Sequence, residues 1–273
     1  MMELPVNKFK QALSGDKPLW GLWMGLPDAS CAEIVAGAGF DWLLIDSEHA
    51  PFELDSTMRH LQAIAPYGVP VIVRPEEGRT ALLKRILDIG AQTVLVPMCD
   101  SAEQAEQLVQ AVKYPPQGIR GLGSSLARAA NWNRIPGYLQ KANDEICLIV
   151  QAETVTAMKN LAEIAAVDGV DAIFIGPSDL SASMGHIGNP DHPEVVAAIE
   201  QGFQVINDAG KAAGLLCINP AKAHHYVNKG AKFVGVGVDT MLLGNAAKAL
   251  AERFKSEGDG AASASLASQS SGY

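Results

Sequence analysis

The chain has 273 residues, enough for two small domains or for one large barrel or sandwich. Hydrophobic residues make up 48% and charged residues 19%, which supplies a sizeable core and excludes an intrinsically disordered chain. Lys and Arg total 21 against 30 Asp and Glu, a net charge of −9 that argues against a nucleic-acid binder, although local cations or a metal can reverse the sign inside one cleft.

At the N-terminus, MMELPVNKFKQ lacks the apolar stretch of a signal peptide. Outside the C-terminal tail, the longest run without Asp, Glu, Lys or Arg is 60–73; it contains Pro66 and Pro70 and is too short to span a bilayer. Cys31, Cys99, Cys147 and Cys217 form no C-x-x-C pair and read as buried free thiols of a reducing, cytoplasmic compartment.

Short apolar runs then recur along the chain: 19–25 (LWGLWMG), 42–46 (WLLID), 71–74 (VIVR), 93–97 (TVLVP), 146–151 (ICLIVQ), 172–176 (AIFIG), 214–218 (GLLCI) and 233–237 (FVGVG). They are continuously apolar rather than alternating, as strands covered on both faces of a parallel sheet are. Helical segments lie between them. Residues 102–112 have apolar positions three and four apart and stop before Pro115 and Pro116; 193–213 opens on Pro193; 221–228 and 245–254 follow the same pattern. Eight strands alternating with helices predict a single-domain (β/α)8 TIM barrel over residues 1–255. The alternative is a doubly wound open sheet, but Gly25-Leu26-Pro27-Asp28 after the first strand is not a glycine-rich phosphate turn. Two segments break the rhythm. The loop 115–133 (PPQGIRGLGSSLARAANWN) carries Arg120 and Arg128 and reads as functional; the tail 256–273 is polar, of low complexity and expected to be disordered.

A TIM barrel builds its active site from residues at the C-terminal ends of its strands. Those ends hold Asp46, with Glu48 and His49 in the following turn; Arg74; Gln151 and Glu153; Gly176-Pro177-Ser178-Asp179; and Asp239. Glu153 and Asp179 end neighbouring strands, and two carboxylates brought together need a proton or a cation between them, which suits a divalent metal; the alternative is that each caps the following helix. His49 beside strand-end acids has the makings of a general base, or of a structural hydrogen-bonded residue. Arg74 ends a buried strand and calls for an anion, either a substrate carboxylate or a salt bridge to Glu76 or Glu77. The amides of Ser178 and Asp179 offer a second anion cradle, and Asp239 reads as a helix cap. No lysine falls at a C-terminal strand end, so a Schiff-base mechanism has no residue to use and a metal is the expected electron sink.

These residues resemble the HpcH/HpaI family of metal-dependent pyruvate aldolases. The likeness begins at AGAGFDWLLIDSEHAP (36–51), continues through TVLVPM, VQAET, GVDAIFIGPSDLSASMG and VGVGVDTMLL, and is most specific in 114–143. It implies Glu153 and Asp179 as metal ligands, His49 as base and Asp88 as the carboxylate that orients it. It further implies Arg74 at the enolate oxygen, the Ser178 and Asp179 amides at the pyruvyl carboxylate, and Asp46 and Gln151 in support. The cofactor implied is a divalent ion (Mg, Mn, Co or Zn), and the assembly a homohexamer with sites near subunit contacts and an exchanged last helix. Ser47 stands where the family has glycine and Ala152 where a larger aliphatic is common.

The implied reaction is cleavage of a small 4-hydroxy-2-oxo acid in aromatic catabolism: 4-hydroxy-2-oxoheptanedioate to pyruvate and succinic semialdehyde, with Arg120 or Arg128 at the distal carboxylate or in subunit packing. A sugar-derived substrate such as 2-dehydro-3-deoxy-glucarate, and a non-catalytic barrel with a structural ion, are the alternatives. No membrane or nucleic-acid partner is expected.

Overall fold

The eight apolar runs form eight parallel strands: β1 (Leu19–Met24), β2 (Trp42–Asp46), β3 (Val71–Arg74), β4 (Thr93–Val96), β5 (Cys147–Ala152), β6 (Ala172–Ile175), β7 (Ala212–Leu216) and β8 (Ala231–Val238). In this computed structural model, which describes residues 3–260, β1 through β8 pair in sequence order and β8 returns to β1, closing a (β/α)8 barrel. The helices are α1 (Lys8–Leu13), α2 (Ala29–Ala36), α3 (Leu54–Ile64), α4 (Thr80–Asp88), α5 (Ala102–Val112), α6 (Tyr138–Lys141), α7 (Val155–Lys159), α8 (Leu161–Ala166), α9 (Pro177–Ser183), α10 (Pro193–Asp208), α11 (Pro220–Asn228) and α12 (Asp239–Gly260). Their starts are written locally. Asp28, Ser101, Thr154 and Asn219 accept the amides of Ser30, Gln104, Ala157 and Lys222, and α9, α10 and α11 open on proline.

Burial separates two apolar layers. Leu22, Leu43, Ile45, Val73, Val94, Leu148, Val150, Ile173 and Ile175 face outward and are sealed by helix residues such as Leu83, Leu87, Ile164, Ile199 and Phe203. Trp23, Trp42, Leu44, Ile72, Leu95, Ile149, Phe174 and Phe233 fill the interior. Phe9 of α1 joins that interior layer, edge-on to Trp42 and Phe233 with centroids 6.1 and 5.5 Å away, so α1 plugs the end of the barrel remote from the strand C-termini. Gly21 has no side chain because the Trp42 indole occupies that space.

Several boundaries differ from the sequence expectation. α10 stops at Asp208 because Gly210 takes a left-handed φ of +72°, and the chain is already in β7 at Ala212. α12 runs to Gly260, beyond the expected limit of the barrel, while the rest of the expected tail, 261–273, lies outside the described residues. Cys99 and Cys147 are buried free thiols as expected, but Cys31 and Cys217 are only half-buried. The largest correction concerns 115–133. It follows a helix and precedes a strand, so it lies at the barrel end opposite the strand C-termini, where Ala127 and Ala130 pack with Tyr114, Ile135 and Tyr138 into a satellite core. No helix among the described residues is long and apolar enough to cross a membrane.

Candidate active site

The parallel register sets the first interaction at the barrel mouth. Asp46, last in β2, is paired with Arg74, last in β3, so both side chains leave neighbouring strands at one level. Arg74 Nε donates to Asp46 Oδ1 at 2.9 Å and Nη2 to Oδ2 at 2.5 Å, a bidentate pair with both residues buried. Trp23 Nε1 donates to Asp46 Oδ2 at 3.1 Å, its ring lies 5.2 Å from the guanidinium carbon, and Arg74 Nη1 stands 2.9 Å from Glu48 Oε2. Arg74 therefore pairs with Asp46 and Glu48; Glu77, one of the acids expected to compete for it, pairs instead with Arg79. Burial pushes the Asp46 carboxyl upward, but the hydrogen bonds and charge of Arg74, the His49 amide and the Trp23 indole outweigh it and hold the group below the ordinary carboxylate range.

Asp46 also orders the turn behind it, accepting the amides of Glu48 at 3.1 Å and His49 at 3.3 Å. This turns the His49 ring outward to 64% exposure, with Nε2 3.8 Å from Glu48 Oε2. Burial raises the Glu48 carboxyl; Arg74 and His49 oppose that shift, while Asp46 and Asp179 reinforce it. Glu48 Oε2 has an ion-pair neighbour but no hydrogen-bond donor.

Across the mouth, β5 carries Gln151 and, one residue past its end, Glu153. Glu153 is 1% exposed; its Oε1 accepts the Met98 amide at 2.9 Å and its Oε2 the Gln151 side-chain amide. Gly176, one residue past β6, makes room for it: a Cβ there would stand 2.5 Å from Glu153 Oε2. The carboxyl is displaced up to about 7, first by burial and further by Asp179 and Glu48, against the lowering pull of the Gln151 and Met98 hydrogen bonds. Asp179 lies exposed in the first turn of α9 next to Ser178, and Thr154, not Glu153, caps α7. Asp239 ties the barrel closure instead of capping alone: it accepts the amides of Gly25 at 2.8 Å, Leu26 at 3.2 Å and Thr240 at 2.7 Å.

The structure thus brings Asp46, Glu48, His49, Arg74, Gln151, Glu153, Ser178 and Asp179 to one rim. Asp88 is not among them. It ends α4 at the far end of the barrel, where its Oδ1 accepts from Arg120 Nη2 at 2.9 Å. Arg120 is fully buried over the Tyr114 ring, and Arg128 Nη1 donates to the Ile89 carbonyl at 2.9 Å; neither reaches the mouth of its own barrel. Met98, Glu48 and Trp23 were not singled out for these roles from sequence. The first leaves no sequence signal, because its contribution is a backbone amide at a left-handed φ of 58°.

This rim fits a divalent cation. Asp46 and Glu48 share the one guanidinium of Arg74, while Glu153, pushed up to about 7, feels Asp179 and Glu48 with no cationic side chain among the described residues set against it. The buried acceptors Glu48 Oε2 and Gln151 Oε1 lack hydrogen-bond donors. An all-oxygen set short of positive charge is donor chemistry for a divalent cation.

Comparison with known proteins agrees with the geometry. The sequence profile of the family described as HpcH/HpaI aldolase/citrate lyase matches residues 19–246. A hydroxypyruvate/pyruvate aldolase of Pseudomonas aeruginosa is 57% identical over 254 residues, 93% of this chain and 95% of that protein. A 4-hydroxy-2-oxo-heptane-1,7-dioate aldolase of Escherichia coli is 57% identical over 248 residues, 91% of this chain and 95% of its own. A crystal structure of an HpcH/HpaI aldolase/citrate lyase family protein from Burkholderia cenocepacia J2315 superimposes with a TM-score of 0.88 at 36% identity, covering 92% of this chain and all of the other.

Proposed function

The chain belongs to the HpcH/HpaI aldolase/citrate lyase family, a carbon–carbon lyase, and from that premise we propose that it cleaves 4-hydroxy-2-oxoheptanedioate to pyruvate and succinic semialdehyde. The observation that carries the reading is the buried Glu153, its carboxyl pushed up to about 7 with Asp179 contributing, at a rim with four acids and one arginine. Glu153 and Asp179 would hold the divalent ion, which when bound polarises the 2-keto oxygen and offsets the charge that develops there.

The chain's own residues supply the rest. The amides of Ser178 and Asp179 receive the pyruvyl carboxylate. Arg74 has Nε and one N–H of Nη2 committed to Asp46 and Nη1 paired with Glu48, and keeps the second N–H of Nη2 for the keto oxygen as it becomes an enolate oxygen. Asp46 and Gln151 hold Arg74 and Glu153 in position. His49, exposed at the mouth, removes the 4-hydroxyl proton; the C3–C4 bond breaks, the aldehyde carbonyl forms, and the bonding pair passes to the enolate. Returning that proton to C3 gives pyruvate.

Asp88 orients His49 in this reading only from a second copy, because within one chain it sits at the opposite end of the barrel. A homohexamer, part of the same proposal, would supply that second copy. The exposed Leu242, Leu243, Leu250 and Phe254 of α12 are consistent with a helix covered by a neighbour. A cytoplasmic role in aromatic breakdown completes the reading, supported by four unpaired thiols.

A second reading has equal identity behind it: condensation in which hydroxypyruvate or pyruvate is a substrate, after the name of the P. aeruginosa relative. Pyruvate release from 4-hydroxy-2-oxoheptanedioate and from 2-dehydro-3-deoxy-glucarate, with and without chelator, tests the first reading. The expected result is chelator-sensitive release, faster from the heptanedioate. Faster release from the sugar acid transfers the assignment to that substrate, and condensation of hydroxypyruvate with aldehydes without heptanedioate cleavage transfers it to the second reading. Absence of chelator-sensitive activity on all of these refutes the aldolase reading in favour of a structural ion.

A further inference from the structure

Outside the mouth, loop 184–192 between α9 and α10 and the first turn of α10 bring together two histidines and a glutamate. His186 and His192 stack with ring centroids 3.5 Å apart and planes 13° from parallel. His186 Nε2 lies 2.9 Å from Glu194 Oε2, and one ligand atom from each of the three side chains falls within 4.8 Å of the other two. Among the described residues, no other group of three or more His, Cys, Asp or Glu side chains meets that spacing.

The backbone is built to hold this cluster. The His186 amide donates to the Ser181 carbonyl at 2.7 Å, Asn189 to His186 at 2.9 Å, and His192 to Asn189 at 3.1 Å. Two successive three-residue steps therefore fold His192 back onto His186, with Gly185 and Gly188 at left-handed φ values of 86° and 75°. His192 caps α10 by accepting the Glu194 amide, which fixes Glu194 in the first helical turn beside the rings. The backbone of the loop is therefore ordered before a ligand binds, and the rearrangement left to binding is that of the two rings.

We infer that His186, His192 and Glu194 form a second metal site, one for a divalent transition ion such as Zn²⁺, distinct from the oxygen-only rim at Glu153. Two imidazoles and a carboxylate are a borderline nitrogen–oxygen set that suits Zn²⁺, Co²⁺, Ni²⁺ or Cu²⁺ and suits Mg²⁺ poorly. The ion takes the place of the contact between His186 Nε2 and Glu194 Oε2. The rings leave their parallel stack so that in-plane lone pairs converge on it, and water completes the shell. A filled site ties the start of α10 to the loop leaving α9, the helix that carries Ser178 and Asp179.

The test is a Zn²⁺ titration, by calorimetry, of the full chain stripped of metal and supplied with excess Mg²⁺. It is repeated for the double substitution H186A/H192A, for E194Q, for E153Q, and for H225A, which removes the surface pair of His225 with Glu200 at 2.7 Å. The expected result is one Zn²⁺ event per chain that weakens at least tenfold in H186A/H192A and in E194Q and persists in E153Q and H225A. Circular dichroism confirms that each variant is folded, and E194Q alone carries the test if the double variant is not. An event that persists in both loop variants, one lost in H225A instead, or no Zn²⁺ event in the wild type overturns the inference. Because E153Q reports only on the barrel mouth, failure of this site and failure of the aldolase reading give different patterns.

Discussion

Burial of Glu153 sets the sign of the pH response expected of the metal-free chain. The residue is 1% exposed, and its carboxyl titrates at about 7 in place of the ordinary 4.5. Without a cation the folded chain therefore keeps a proton that the unfolded chain gives up across that interval. Stability is fully present below 4.5, falls as pH rises to about 7, and falls no further above it. At about 1.4 kcal/mol per pH unit, the interval from 4.5 to about 7 is worth about 3 kcal/mol. Glu153→Gln abolishes the ionisation while keeping an acceptor for the Met98 amide. Urea unfolding in chelator, at about pH 5 and about pH 8, reads the difference between the two chains, so other titrating groups cancel. The variant should gain up to about 3 kcal/mol on the wild type between those conditions. Mg²⁺ at the higher pH should stabilise the wild type and leave E153Q unchanged. Parallel pH dependence of the two metal-free chains would refute the burial argument, and a full Mg²⁺ response in E153Q would remove Glu153 from the ligand set.

His49→Ala should cut retro-aldol turnover by about 10²- to 10⁴-fold while Mg²⁺ affinity, measured by calorimetry, holds; unchanged turnover removes His49 from the role of base. Arg74→Ala leaves buried Asp46 and half-buried Glu48 without their guanidinium and should cost about 3–5 kcal/mol in urea unfolding, whereas a loss below about 1 kcal/mol would mean the pair is not a structural element of the rim. Arg74→Lys keeps the charge but not the fork on Asp46, so it should retain more stability than Arg74→Ala and still lose most turnover. Gly176→Ala puts a methyl 2.5 Å from Glu153 Oε2 and 2.9 Å from its Cβ, so Mg²⁺ should bind at least tenfold more weakly to a folded chain; wild-type affinity would show that Glu153 does not need that space.

The barrel was legible because its strands are buried on both faces: runs such as WLLID and AIFIG sit where β2 and β6 form, and each begins or ends within a residue or two of the expected place. Strand ends then named most of the rim. Pairing across strands was not legible in the same way. Locality favours Glu76 or Glu77 for Arg74, yet parallel register sets Asp46 opposite it, and a bidentate bond between strand ends outcompetes an exposed acid. α1 escaped notice because a helix from Lys8 to Leu13 with one buried residue, Phe9, has no apolar stripe to read.

The position of 115–133 is a different kind of miss, since the alternation that predicted the barrel already contained the answer. A segment after a helix and before a strand belongs to the end where strands start, however many arginines it carries. There Arg120 is buried with Asp88 as its carboxylate partner, and its Nε and Nη1 have no acceptor. A guanidinium so enclosed cannot swing out to meet a substrate in its own barrel without leaving Asp88 unpaired and the Tyr114 ring uncovered. Specificity for the distal end of the substrate must therefore come from residues at the strand C-termini or from a neighbouring copy that presents this end of its barrel. Asp88 is held at that same remote end, so within the proposed reaction its contact with His49 requires a second chain at the mouth.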